Sequence, residues 1–216
     1  MKSIEKSAKK INHEISKWSQ QNDKLIVAID GYAGSGKTLI ANRIAEINTS
    51  CLVIHLDDFI KHWQIRKSMI YKAKDPSKVF EYNWYRYDAI ERLVKKFLSV
   101  SNGFVCLKVY DFNMNKFITS RPFDLSKKVL LIEGIFVLHP KHKRNNLWQK
   151  KIFLNVNFEK SETRRTSLEK QKLGTLYLPE DHPNSYFSYF RTAYLRYLSQ
   201  YKPWQYADIL INVDSN

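Results

Sequence analysis

Residues 25–47 read LIVAIDGYAGSGKTLIANRIAEI, and no other segment restricts the fold so tightly. The first six residues form a short apolar run that closes on Asp30. It is too short for an ordinary helix and reads as a strand buried on both faces, as in a parallel sheet. Gly31, Tyr32, Ala33, Gly34, Ser35, Gly36, Lys37 and Thr38 follow, in the spacing G-x-x-x-x-G-K-[ST]. The next stretch reads as a helix with Leu39, Ile40, Ile44 and Ile47 on one side. Strand, glycine loop and helix in this order build an anion cradle. Glycine lets the backbone turn sharply and approach a phosphate closely. Successive N–H groups then point inward, and the helix N-terminus adds partial positive charge. Lys37 is placed to reach the β- and γ-phosphates of a nucleotide, and the Thr38 hydroxyl to bind Mg²⁺. Three of the six glycines in the chain lie here. A plain βα turn would explain one of them.

The other strands and helices read as follows. Ile4, Ala8, Ile11, Ile15 and Trp18 recur at helical spacing, so residues 1–22 form an amphipathic helix with lysines on its other face. Such a helix can lie on a membrane or pack on the domain formed by residues 23–216; packing is the expectation. Strands are expected at 51–56, closed by Asp57 and Asp58, then at 104–112, at 129–138 with an end near Glu133, at 151–157 and at 207–213. Residues 60–86 show no clean period. Ile90, Leu93, Val94, Phe97 and Leu98 mark a helix over 87–99, and further helices are expected over 161–172 and 185–201. Alternating strands and helices imply an α/β fold in three layers, α/β/α, around a mostly parallel sheet. A small helical lid is expected over 159–183.

The chain has 216 residues, room for one domain with a core of its own. Lys and Arg outnumber Asp and Glu by 36 to 21, giving +15. That balance favours anionic partners in general, whether nucleotide, phosphorylated metabolite, nucleic acid or acidic lipid, and names none of them. Cys51 and Cys106 are far apart and no CxxC is present, so neither a disulfide framework nor a zinc site is expected. Both read as small apolar residues in or beside strands. The histidines lack metal-ligand spacing. The N-terminus lacks the apolar core of a signal peptide, and no stretch is long and apolar enough to span a bilayer. A soluble, cytoplasmic protein is the expectation.

A GTPase would carry Asn-Lys-x-Asp, and residues 115–118 lack its final acid. A small kinase remains. It needs one carboxylate near the acceptor hydroxyl and another near the metal. In an open parallel sheet, ligands gather at the carboxyl ends of the strands. Asp57 and Asp58 close one strand there and Glu133 closes another. Helix capping is the alternative role for the two aspartates, and a strand-end surface position for Glu133.

"IDGYAGSGKTLIA", "HLDDFI", "VYDF" and "LIEGIFVL", in this order and with "YKPWQYADILI" near the C-terminus, resemble the uridine kinase-like family of P-loop kinases. The resemblance covers most of residues 25–213. It implies a P-loop NTPase fold, ATP and Mg²⁺, and transfer of a phosphoryl group to an alcohol. By the same resemblance Asp57 is the general base, with an indirect contact to Mg²⁺, and Glu133 helps to hold the metal. Tyr110 lines the nucleoside site, with Asp58 beside the acceptor. Arg164 and Arg165 are lid arginines that close over the phosphates, with Lys170 and Lys172 as further lid cations. The acceptor pocket departs from the family pattern. Where uridine kinases carry F-D-H-P, this chain has "FEYNWYRYD" (80–88), so the acid is either shifted to Glu81 or replaced by Asn83. Ile60 replaces the aromatic residue after D-[SD]-F. The histidine that follows Y-D-F is absent, with Asn115 nearest. The resemblance thus implies a kinase for a uridine- or cytidine-like nucleoside or a similar hydroxylated metabolite. A nucleic-acid-binding P-loop protein, or a polynucleotide 5′-kinase, is the alternative, and a homo-oligomer is compatible with either.

Overall fold

In a computed structural model that describes residues 2–111, 116–182 and 185–213, helix α1 (Lys2–Gln20) precedes strand β1 (Leu25–Gly31) and helix α2 (Lys37–Ile47). Strand β2 (Cys51–His55), helix α3 (Trp63–Lys72) and helix α4 (Tyr87–Ser99) follow. Strands β3 (Phe104–Asp111), β4 (Lys116–Asp124), β5 (Val129–Gly134) and β6 (Lys150–Asn155) come next, then helices α5 (Phe158–Leu173) and α6 (Phe187–Arg196) and strand β7 (Ile209–Asn212). Five strands lie side by side in the order β2-β5-β1-β6-β7, every neighbouring pair parallel. β1 and β5 are buried along their whole length, as their unbroken apolar runs require.

The strand period of two sorts the core into layers. Leu25, Val27 and Ile29 face α1 and α2, where they meet Ala8, Ile11, Ile15, Ile40, Ala41 and Ile44. Ile26 and Ala28 face the other way, toward Ile90, Leu93, Val94 and Phe97 of α4 and Tyr194 of α6. The N-terminal helix thus belongs to one outer layer. Ile11 and Ile15 are fully buried, each worth about 1.5–3 kcal/mol relative to exposure. Among the described residues, no helix is long and apolar enough to cross a membrane.

Several expectations are corrected. The 104–112 strand does not join the main sheet; β3 pairs antiparallel with β4 in a separate two-stranded sheet. Its outer positions alternate between exposed and half-buried, the pattern of a strand with one wet face. Cys106 is accordingly exposed, whereas Cys51 is buried. Leu39 and Leu98 are 62% and 47% exposed, because the buried stripes of α2 and α4 run through Ile40–Ala41–Ile44 and Ala89–Ile90–Leu93–Val94–Phe97. β2 stops at His55, and Asp57 and Asp58 lie in the 3₁₀ turn that follows. The helical stretch near the C-terminus widens into a π-turn after Arg196 and ends at Lys202, whose φ is +45°. Phe112 and Asn115 lie outside the described residues.

Candidate active site

The glycine loop joins the central strand to α2. Gly34 and Gly36 have φ of +79° and +86°, the left-handed region where a side chain is strained. A Cβ on Gly34 would also lie 2.4 Å from the Ser161 carbonyl oxygen of α5. The loop therefore packs directly against the first turn of that helix. Gly36 is the N-cap of α2, and no side chain caps the helix. Its first N–H groups are thus presented to an anion, as the motif requires. Lys37 Nζ donates to the Tyr32 carbonyl at 3.3 Å, so Lys37 reaches back over the loop.

Asp30, the last acid before the loop, is fully buried. The Gly31 N–H donates to its Oδ1 at 2.6 Å, and the Leu138 N–H and the Tyr197 hydroxyl donate to Oδ2 at 2.8 and 2.7 Å. Burial raises its pKa to about 6, against the pull of these bonds and of the Lys37 charge. The carboxylate ties the loop to β5's downstream segment and to the π-turn, which places Tyr197 over it.

The parallel register sets His55 beside Glu133 at the ends of β2 and β5. The Thr38 hydroxyl donates to Glu133 Oε1 at 3.0 Å, and His55 Nδ1 lies 2.8 Å from the same oxygen. Burial would raise the Glu133 pKa, but the His55 hydrogen bond, the Lys37 charge and Thr38 together hold it low. Burial likewise opposes a charge on His55, and Glu133 outweighs it, raising the imidazole pKa. Thr38 and Glu133 are hard oxygen donors at the mouth of the phosphate loop. Among the described residues there is no cluster of three or more acid, histidine or cysteine ligands. The donor set fits Mg²⁺, which takes one or two protein oxygens and completes its shell with phosphates and water. Glu133 was expected there; His55 was not, since only the register reveals it.

Asp57 stands across from Glu133. Backbone bonds from Lys61 N–H to Trp84 O (3.1 Å) and from Arg86 N–H to Phe59 O (2.7 Å) zip residues 59–61 to residues 84–86. That short ladder sets the buried Tyr85 against Asp57, and the Tyr85 hydroxyl donates to Asp57 Oδ1 at 3.1 Å. Asp57 is exposed to solvent yet walled by protein. Desolvation by those walls, then the charge of Glu133, raise its pKa; Lys37, the Tyr85 hydrogen bond and Lys172 of α5 pull it down. Neither aspartate caps the next helix, since His62 supplies the N-cap of α3. Asp58 pairs instead with Arg121 of β4 at 2.6 Å. Desolvation raises the Asp58 pKa against that arginine.

The remaining expected site residues separate. Arg165 is buried and paired to Glu162 and Glu169 at 2.9 and 3.0 Å. The Tyr32 hydroxyl donates to the same Glu162, and the Tyr32 ring packs on Phe158 and Tyr194 at 4.9 and 4.2 Å. Arg165 is therefore a tether between the glycine loop and α5, and reaching the phosphates would require breaking both ion pairs. Arg164 is exposed on the same helix. Glu81 is fully buried, with Arg196 on one oxygen (2.8 Å) and His139 on the other (2.7 Å). Asn83 is exposed. Within "FEYNWYRYD" it is Tyr85 whose side chain meets Asp57, while Glu81 is held by Arg196 and His139. Tyr110 is buried against Phe117 and His62, with ring centroids at 5.5 and 6.4 Å.

The family model described as "Phosphoribulokinase / Uridine kinase family" matches residues 26–213. Nicotinamide riboside kinase 2 of Mus musculus is 27% identical over 180 residues, 81% of this chain and 80% of that protein. A uridine kinase of Borrelia turicatae (strain 91E135) is 26% identical over 187 residues, 86% of this chain and 85% of that protein. Among solved structures, a possible uridine kinase from Bacillus stearothermophilus superposes with a TM-score of 0.65 at 18% identity, covering 94% of this chain and all of that one; at that identity the likeness shows the fold alone. A match that spans nearly the whole chain, on the three-layer fold and with the motif order just described, shows that the chain belongs to the phosphoribulokinase / uridine kinase family and is a phosphotransferase with an alcohol group as acceptor.

Proposed function

We propose that the protein transfers the γ-phosphoryl group of ATP to a hydroxyl of a nucleoside or a nucleoside-like metabolite. One observation carries the reading: Lys37, the Thr38–Glu133 pair and Asp57 converge at the carboxyl ends of three adjacent parallel strands. The names of the relatives support a riboside as acceptor. The loop N–H groups and Lys37 hold the β- and γ-phosphates. Thr38 and Glu133 would hold Mg²⁺, which when bound would supply positive charge against the phosphates. Asp57 accepts the proton of the acceptor hydroxyl as its oxygen attacks the γ-phosphorus, and the bond to the β-phosphate oxygen breaks to release ADP. Tyr85 keeps the Asp57 carboxylate aimed and lowers its pKa. The lid cation Lys172, whose charge reaches Asp57, faces the same space.

A panel of nucleosides, ribosides, vitamins and free sugars, each with ATP and Mg²⁺ and scored for ADP release, tests the reading. Stimulation by at least one riboside is the expected result; no stimulation by any compound overturns it. Tyr85→Phe is expected to lower kcat/KM at neutral pH by about tenfold, the worth of one hydrogen bond to a charged group. It removes a bond that lowers the Asp57 pKa, so the acid limb of the pH profile moves to higher pH while ATP affinity stays constant. An acid limb that does not move would separate Tyr85 from the base.

A further inference from the structure

Two arginines are more than nine-tenths buried among the described residues, and the fold treats them differently. Arg165 has two carboxylates, Glu162 and Glu169. Arg66, on α3, is 8% exposed and has no acid within ion-pair distance among the described residues. Its Nε donates to the Lys61 carbonyl at 2.8 Å. Its guanidinium lies 4.5 Å from the centre of the Trp84 ring, 5.3 Å from Trp63 and 5.7 Å from Tyr110. Ring faces attract a cation, but a guanidinium has five N–H donors in a fixed fork, and the Lys61 carbonyl uses only one of them. A buried charge without a counter-ion is strongly unfavourable. Desolvation disfavours the charge on Arg66, while Tyr110, Tyr85 and Asp57 favour it. Lys61 and Trp84, which hold the guanidinium, belong to the ladder between residues 59–61 and 84–86 that sets Tyr85 against Asp57, so Arg66 stands beside the candidate acceptor site.

We propose that Arg66 binds an anionic group, a carboxylate or a phosphate, carried by the acceptor whose hydroxyl is presented to Asp57. The inference rests on the kinase reading above and deepens it: the acceptor is an acidic hydroxylated metabolite. The two ends of such a molecule meet opposite charges, the anion at Arg66 and the hydroxyl proton at Asp57. The aromatic cage holds the guanidinium plane in advance, which favours bidentate recognition of a planar carboxylate or of two phosphate oxygens. The counter-ion that the fold withholds from Arg66 is then supplied by the substrate, and a neutral analogue leaves the charge unpaired.

Matched acceptors test this: nicotinic acid riboside against nicotinamide riboside, glycerate against glycerol, and ribose 5-phosphate against ribose, each with ATP and Mg²⁺ and read as ADP release. The wild-type protein is expected to use the acidic member of an accepted pair with at least about tenfold higher kcat/KM. The carboxylate and phosphate pairs tell the two anions apart. Arg66→Gln is expected to lower kcat/KM for the acidic member roughly tenfold to a hundredfold and to remove most of the preference, with Arg66→Lys in between because it keeps the charge and loses the fork. Equal or better use of the neutral members by the wild-type protein overturns the proposal, and so does a preference that survives in Arg66→Gln. The wild-type comparison needs no variant, so a misfolded Arg66→Gln protein leaves the test standing. ADP release with none of the pairs, but with a neutral nucleoside, overturns the Arg66 assignment alone. Silence with every acceptor, while ATP still protects the protein against thermal unfolding, overturns the kinase reading and the assignment with it.

Discussion

Lys37→Ala is expected to lower ATP-dependent phosphoryl transfer by about a thousandfold or more. Removing one preorganised charge-stabilising donor from an enclosed site costs on the order of 10²–10³ in rate, and Lys37 supplies a full charge. It is also a cation whose charge acts on Asp30, Asp57 and Glu133. With the lysine gone, three acids face the triphosphate with less compensation, so ATP affinity falls along with turnover. The pKa of each acid also rises, since Lys37 is one of the groups that lowers it. The fold itself should barely notice. Lys37 is half-buried and its hydrogen bond to the Tyr32 carbonyl at 3.3 Å is a weak one. Steady-state turnover, ATP titration and thermal melting of the same preparation check the three parts together. A variant that melts normally and retains more than a tenth of wild-type turnover would show that the loop is not where the donor phosphates sit.

The phosphate side of the site was legible from residues alone because local rules decide it. A strand, a loop that needs positive φ at Gly34 and Gly36, and a helix N-terminus are consecutive in the chain, and the motif states their order. Glu133 was legible for a similar reason: an apolar strand that runs into Glu-Gly in a parallel sheet delivers its acid to the ligand edge. His55 was hidden, because its place beside Glu133 follows from the register of two strands about eighty residues apart in sequence, which periodicity does not reveal. On the acceptor side the sequence offers Glu81 or Asn83 in place of the family acid; in the fold Arg196 and His139 engage both oxygens of Glu81, and Asn83 is exposed. The position against Asp57 is held by Tyr85, which becomes visible only when the ladder between residues 59–61 and 84–86 is known. Arg66 was silent for another reason. A lone arginine in a stretch without clean period carries no signal until its burial and its missing counter-ion are seen. The β3–β4 pair is half legible: residues 104–112 read as a strand, but the alternation of wet and dry positions that sets it apart from the continuously buried β1 and β5 emerges only in the fold.

Asp57→Asn is expected to leave ATP binding close to wild type and to reduce turnover roughly 10²- to 10⁴-fold, the usual worth of a positioned general base. Asparagine has nearly the same shape and still accepts from the Tyr85 hydroxyl, so the change isolates proton acceptance. The pH dependence supplies a second readout. Desolvation and the neighbouring Glu133 raise the Asp57 pKa above its ordinary value. The base works only when ionised, so the acid limb of wild-type kcat/KM should lie above the pKa of an ordinary aspartate. The residual activity of Asp57→Asn should lack that limb. Stability should move the other way. A carboxyl whose pKa is higher in the folded than in the unfolded chain opposes folding once the pH exceeds both values. At neutral pH the neutral asparagine removes that opposition, and the melting temperature should stay equal or rise. A functional acid that the fold disfavours is what a site built for reactivity contains. Turnover of Asp57→Asn within a few-fold of wild type, or an acid limb that persists in the variant, would move the base to another group; Asp58, already paired to Arg121, would then be the first to replace.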